Sequence, residues 1–306
     1  MTESSASSAS IRLPEPSFGE QASSAAAIDA LSEFVTSHKR LFVLTGAGVS
    51  VASGIPGYRD LNGDWMRAQP IQWQAFRDSE HARRRYWARS MVGWPMLAKA
   101  QPNAAHGALA QLGAAGRIGR LVTQNVDGLH QRAGSVDVVE LHGSIDDVLC
   151  LGCGTRHARA EIQTLLLRDN PSLADASAAV SADGDAHLEW DSLDFFRVPT
   201  CSQCGDMLKP DVVFFGENVP RERVQAAGVA LEAADAMLVV GSSLMVFSGY
   251  RFCMWAAKAG TPIAAINIGV TRADSLFSLK VQAPCGEALA ALAARVAPSV
   301  SSVSYR

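Results

Sequence analysis

The 306-residue chain carries 27 Lys+Arg against 30 Asp+Glu, and a net charge of −3 offers neither a basic field for nucleic acid nor a cationic membrane surface. Hydrophobic residues at 48% and charged ones at 19% are ordinary for a soluble protein of one large or two smaller domains. No run reaches the ~18 continuous apolar residues of a membrane span, and six cysteines are too few for a disulfide scaffold.

Residues 1–21 are rich in Ser, Ala, Pro and Glu, with neither a charged n-region nor an apolar h-region. Glu3, Glu15 and Glu20 argue against a transit peptide, so the stretch is expected to be a disordered tail on a cytoplasmic protein. The apolar run Leu41–Thr45 then reads as a buried strand, and it empties into Gly46-Ala47-Gly48-Val49-Ser50. Glycines at a strand exit let backbone N–H groups approach phosphate oxygens. The third glycine of a dinucleotide fingerprint would fall at Val51, so a plain dehydrogenase is disfavoured. From 60 to 102 lies a helical insertion holding four of the six tryptophans, Trp65, Trp73, Trp87 and Trp94. They predict a small satellite core, with a lid over a ligand as the alternative.

Helical length and Ala/Leu content mark 103–113, and a strand is expected at 120–123. Its exit, Thr123-Gln124-Asn125-Val126-Asp127-Gly128-Leu129-His130, gathers polar groups that suit hydroxyls and a carboxamide. An Asx-rich turn that merely ends the strand is the competing reading. A strand over 136–141 exits at His142-Gly143-Ser144, where a histidine of near-neutral pKa can serve as a general base. A lone histidine is more often structural, and His106, His130 and His157 are placed in that class, with His130 a candidate helper.

From 150 to 204 the α/β pattern breaks, and 170–190 is Ala/Ser/Asp-rich without period. Cys150-x-x-Cys153 and Cys201-x-x-Cys204 bound this module. Two such knuckles complete a tetrahedral Cys₄ zinc site with no open position, hence structural and not catalytic. A redox dithiol is the rival, but it needs one reactive pair and not two matched ones. Lys209-Pro210-Asp211-Val212-Val213-Phe214-Phe215-Gly216-Glu217 reads as an edge strand able to accept an extended peptide, or as an ordinary core strand. A helix over 221–234, the strand Ala236–Val240 ending in Gly241-Ser242-Ser243-Leu244, and a strand over 263–267 ending in Asn267-Ile268-Gly269 follow. The alternation predicts an α/β fold with a doubly wound parallel sheet, its polar and glycine loops on one edge.

These ordered motifs (GAGVSVASGIPGYRD, TQNVDGLH, LHGS, two C-x-x-C pairs, KPDVVFFGE, GSSL and NIG) resemble the sirtuin family of NAD-dependent protein-lysine deacylases from about residue 41 to 285. The resemblance implies a Rossmann-like domain (22–149 and 205–306), an inserted zinc module (150–204), and a cleft between them. NAD would meet Gly46, Ala47, Gly48 and Ser50 at its phosphates and ribose, with Ile55, Asn125 and Asp127 around nicotinamide and Arg59 on a mobile loop. Gln124 would hold the nicotinamide-side ribose. Gly241, Ser242, Ser243, Asn267, Ile268, Gly269 and Cys285 would surround the adenosine half. His142, with Asn125 and Asp127, would be catalytic. Val213, Phe215 and Gly216, facing Val246 and Ser248, would grip an acylated lysine on a protein.

The implied reaction moves the acyl group to ADP-ribose and releases nicotinamide. YWARSMVGWP, LKPDVVFFGE, GSSLMVFSGYRF and NIGVTRAD are similar to the class II branch, whose animal members are mitochondrial and are associated with weak deacetylation, ADP-ribosyl transfer and removal of bulkier acyl groups. Tyr86-x-x-Arg89 echoes a pair with which another branch reads acidic acyl chains, since i and i+3 share a helix face. Protein mono-ADP-ribosylation and a non-catalytic NAD-sensing zinc module stand as alternatives.

Overall fold

A computed structural model of the protein describes residues 25–66, 70–174, 176 and 193–297; the expected tail at 1–21 lies outside them. Helix α1 (Ala25–Ser37) precedes strand β1 (Leu41–Thr45), and the Trp-rich insertion holds α2 (Trp73–Asp78) and α3 (Glu80–Lys99). Next come α4 (Ala104–Ala114), β2 (Ile118–Thr123), α5 (Leu129–Arg132) and β3 (Val139–Glu140). The middle contains β4 (Gly143–Cys150), β5 (Arg156–Ala158), α6 (Arg159–Asp169) and β6 (Leu208–Val212). The chain continues through α7 (Arg221–Glu232), β7 (Ala236–Val240), α8 (Phe247–Ala259), β8 (Ile263–Ile266), β9 (Leu279–Val281) and α9 (Cys285–Val296). Among the described residues no helix is long and apolar enough to cross a membrane.

Six strands form a parallel sheet in the order β3-β2-β1-β7-β8-β9. Every position of β1 and β7 is buried, which is why both read as unbroken apolar runs. Side chains alternate across a strand. Leu41 and Val43 accordingly join Leu31, Leu109 and Leu289 in one core, while Phe42 and Leu44 join Leu231 and Phe252 in another. Helices α1, α4 and α9 therefore cover one face and α7 and α8 the other.

The chain runs outward from β1 to β2 and β3, then returns to place β7 against the free side of β1. That reversal is a topological switch point, and the crevice beyond the carboxyl ends of β1 and β7 is where such sheets take ligands. The strand expected at 136–141 shrinks to Val139–Glu140. Val136 is 81% exposed and Asp137 takes φ 52°, a left-handed conformation that interrupts extended backbone.

The middle of the chain builds a three-stranded antiparallel sheet, β5-β4-β6, with β6 on its edge. It shares a third core with the insertion, in which Phe76, Trp87, Ile162 and Leu208 meet. Arg159 is fully buried there, its guanidinium 5.7 Å from the Trp87 ring and 4.9 Å from that of Trp94. Its Nη2 donates to Ser90 at 3.2 Å, and Gln163 Nε2 donates to the Met91 carbonyl at 2.8 Å. These bonds tie α6 to α3, so Trp87 and Trp94 belong to the satellite core.

Candidate functional site

A cavity of about 920 Å³ opens at the switch point, between the carboxyl edge of the large sheet and the start of the small one. Gly46 N–H donates to Val240 O at 3.1 Å and Gly48 N–H to Gly241 O at 2.8 Å. A Cβ on Gly48 would sit 2.8 Å from that same oxygen, so the two glycine loops touch backbone to backbone. This leaves a smooth cradle of main-chain atoms beside Ala47, Ser50, Ser242 and Ser243. Asn267, Ile268, Gly269 and Cys285 line its far side. Leu244, at φ 56°, holds the end of the loop after β7 in a conformation that a side chain disfavours by roughly 1–2 kcal/mol. A volume of this size with few, placed polar groups fits the dinucleotide that the resemblance implies.

At the inner end the polar groups form a directed chain. Asn125 Nδ2 donates to Ser50 Oγ at 3.0 Å, and Ser50 Oγ–H donates to Asp127 Oδ2 at 2.6 Å. The other carboxylate oxygen accepts from Leu129 N–H at 2.9 Å. Behind them, His106 Nδ1 accepts from Asn103 N–H at 3.3 Å, which leaves Nε2–H directed at Ser50 Oγ, 3.5 Å away. His130 is buried, bonded to Thr45 Oγ1 at 2.9 Å, and burial pushes its pKa down to about 3. Neither histidine lines the cavity. Ile55 and Arg59 do, the latter donating to Gly63 O at 2.7 Å with its guanidinium 4.1 Å from the Trp65 ring.

His142 enters the same cavity from the loop ahead of β4. Its Nδ1 lies 2.8 Å from the Gln124 carbonyl, which can only accept, so the proton of the neutral ring resides on Nδ1. Nε2 then carries the lone pair, and the Ser248 hydroxyl donates to it at 2.7 Å. Burial lowers the His142 pKa to about 4; the bond to Gln124 opposes that, and the charges of Arg223 and Arg251 reinforce it. The imidazole is therefore neutral at physiological pH, with its basic nitrogen facing the cavity. Gly143 at φ 87° is forced, because a Cβ would fall 1.8 Å from Asp211 O.

Val213, Phe215 and Gly216 form one wall and Val246 and Ser248 the other. The first wall is held from beneath. Lys209 Nζ donates to the Val212 carbonyl and pairs with Glu217 Oε2 at 3.0 Å, while Glu217 accepts from Phe214 N–H at 2.8 Å. Trp65 packs edge-on against Phe215, ring centroids 5.4 Å apart. Tyr86 and Arg89 are not brought to the cavity. Tyr86 is 4% exposed, packed among Phe76, Trp87 and Phe214 in the satellite core.

Beyond the small sheet, the sulfurs of Cys150, Cys153, Cys201 and Cys204 all lie within 4.8 Å of one another. Sγ of Cys150 is 3.4 Å from that of Cys204, and Sγ of Cys153 is 3.8 Å from that of Cys201. A tetrahedral Zn–S₄ centre needs sulfurs about 3.8 Å apart. The two knuckles turn alike, with Gly154 N–H on Cys150 O at 3.0 Å and Gly205 N–H on Cys201 O at 2.8 Å. Four cysteines positioned for one ion fit structural zinc.

Sequence reasoning did not single out Asn218, Phe247 or Arg251, which line the cavity, and it expected Trp65, which also lines it, in the satellite core with a lid as the alternative. Arg251 carried a usable signal, lying three residues after Ser248 on one helix face.

The sequence matches the profile of the Sir2 family over residues 46–248. It is 61% identical to an NAD-dependent protein deacetylase of Xanthomonas campestris pv. campestris (strain 8004), over 86% of this chain and 90% of that protein. It is 56% identical to NAD-dependent protein deacetylase 2 of Bradyrhizobium diazoefficiens, over 86% and 96%. A Sir2 enzyme structure concerned with mechanism and regulation aligns with a TM-score of 0.71 at 33% identity, covering 89% of this chain and 98% of that one. A structure of Sir2 with a p53 peptide and NAD+ aligns at 0.69 and 26%, covering 87% and 97%. The chain belongs to the Sir2 family.

Proposed function

We propose that the protein is an NAD-dependent protein-lysine deacetylase, acting on acylated lysines and transferring the acyl group to ADP-ribose with release of nicotinamide. The observation that carries this reading is the His142 tautomer: a neutral ring with Nε2 basic, in the same cavity as the glycine cradle and the Asn125–Ser50–Asp127 chain. NAD would lie along Gly46, Gly48, Ser242 and Asn267, supplying an electrophilic ribose carbon and the hydroxyl that receives the acyl group.

Asn125 and Asp127 would hold the carboxamide, their orientation set by Ser50. Arg59 and Ile55 would close over it and exclude water. Val213 to Gly216 would add the substrate backbone as an extra strand, with the acylated lysine passing between Phe215 and Val246. His142 Nε2 would take the proton from the hydroxyl that attacks the acyl carbon, while the Nδ1–H bond to Gln124 stabilises the imidazolium that forms. The zinc module is structural, its four thiolates leaving no open position. Zinc ligation requires these cysteines as thiolates, and cytoplasmic residence is part of this reading.

Nicotinamide release measured with NAD and an acetyl-lysine peptide tests the proposal. Release that requires the acetylated peptide and yields free lysine supports it. Release without peptide, with ADP-ribose gained by a target protein, would instead favour ADP-ribosyl transfer.

A further inference from the structure

Among the described residues, the charged side chains lining the cavity are engaged within the chain, with one exception. Arg59 is bonded to Gly63 O and stacked on Trp65, Asp60 accepts from Asn62 and Asp64 N–H, Asp127 is held by Ser50 and Leu129, and Glu217 pairs with Lys209. Arg251 lines the same cavity, yet among the described residues it meets no carboxylate. Its guanidinium rests 5.0 Å from the Phe247 ring, and its Nε is buried without an acceptor.

The position matters as much as the charge. Ser248 is one helical turn before Arg251 on α8, and i, i+3 residues share a face. Arg251 thus follows the wall formed by Val246 and Ser248, and half-exposed Phe247 places it at the mouth. A guanidinium already seated on an aromatic ring has lost part of its freedom, so it gives up little more on binding a planar anion. A buried donor without an acceptor is costly, and a carboxylate would satisfy it.

Resting on the deacylase reading above, we propose that Arg251 is a specificity residue that binds a carboxylate carried by the acylated substrate. The carboxylate has two sources, an acidic residue beside the modified lysine or an acidic acyl chain.

Two peptide series separate them: acetyl-lysine peptides with Glu, Gln or Lys at flanking positions, and one neutral peptide bearing acetyl-lysine or succinyl-lysine. The readout is the ratio of kcat/KM within each series for the wild type, Arg251→Gln, Arg251→Lys and Arg251→Glu. The wild type is expected to prefer the acidic member of one series by about tenfold at low salt, the preference shrinking as ionic strength rises. Arg251→Gln should bring that ratio close to one, Arg251→Lys should keep part of it, and Arg251→Glu should turn it toward the Lys-flanked or neutral peptide. Equal ratios in the wild type, or an acidic preference that survives Arg251→Gln, would overturn the inference. Absence of turnover on every peptide would overturn the deacylase reading itself, a different result from turnover without preference.

Discussion

The Ser248 hydroxyl donates to His142 Nε2 at 2.7 Å while the Gln124 carbonyl holds the proton on Nδ1 at 2.8 Å. Two elements distant in sequence thereby fix one tautomer, because a carbonyl cannot donate and the ring carries a single proton when neutral. With the pKa lowered to about 4, chiefly by burial, the base form of His142 persists well below neutrality. The acid limb of kcat/KM that belongs to His142 is therefore expected near 4. Ser248→Ala removes a bond that favours the neutral ring, so the limb should move upward. His142→Ala should lower kcat by about 10²-fold or more without shifting the melting temperature. A wild-type limb near 6.5, or near-normal turnover by His142→Ala, would contradict the assignment.

His130 makes a separate prediction about stability. Its pKa falls from 6.5 to about 3 on folding because the ring is buried, and the neighbouring His106 adds to the effect. Between those values the unfolded chain binds a proton that the folded chain refuses. Its contribution is thus complete above about 6.5, declines as pH falls through the window, and levels off below about 3. Chemical denaturation from pH 7 to 4 should show this slope, and His130→Gln should flatten it. An unchanged slope in the variant would assign the acid sensitivity elsewhere.

Gly48 and Gly54 separate two demands on glycine within one loop. A Cβ on Gly48 would meet Gly241 O at 2.8 Å, backbone against backbone, whereas Gly54 at φ 84° has open space around it. Gly48→Ala should force the β1 and β7 loops apart, raising the KM for NAD at least tenfold with a loss of about 1–3 kcal/mol of stability. Gly54→Ala should cost only backbone strain, about 1 kcal/mol. Calorimetry and NAD titration of the two variants check this, and equal effects on NAD affinity would refute the contact argument.

Buried Lys209 pairs with Glu217, whose side chain stays 25% exposed, and their remaining bonds reach the Val212 carbonyl and Phe214 N–H. Burial pushes the Lys209 pKa down and the Glu217 carboxylate opposes it, so losing that carboxylate strands a costly cation. Glu217→Gln should destabilise the protein by about 1–3 kcal/mol and raise the peptide KM while altering the KM for NAD much less. An effect on both substrates alike would show that the pair does not act through the peptide wall.

Removing zinc should act through the third core. Cys150 and Cys201 are buried in it alongside Trp87 and Leu208. Chelation or Cys153→Ser should lower the melting temperature by at least about 5 °C and release one zinc per chain, measurable by elemental analysis. Retention of full stability without zinc would rule out a structural ion.

Much of the site was legible because it sits where local patterns are strict. Strands buried on both faces must be apolar, so β1 and β7 announce themselves, and the glycines after β1 and β7 mark where backbones touch. The two C-x-x-C turns fix their thiolates locally, which is why the ligands were readable although 47 positions separate Cys153 from Cys201... a span the small sheet closes by pairing β4 with β6. The 136–141 strand was not legible at its true length, since Asp137's left-handed backbone depends on the turn and not on hydrophobicity.

By itself the sequence determined the α/β architecture, the cysteine quartet and the polar strand exits, because each rests on a repeat or spacing within a few residues. Only the tertiary structure decided that Gly48 must meet Gly241, that His142 is neutral with Nε2 unprotonated and accepting from Ser248, and that Tyr86 is core while Arg251 faces the cavity. Those facts depend on which segments the sheet order brings together, and contacts between distant segments leave no periodic trace in the chain.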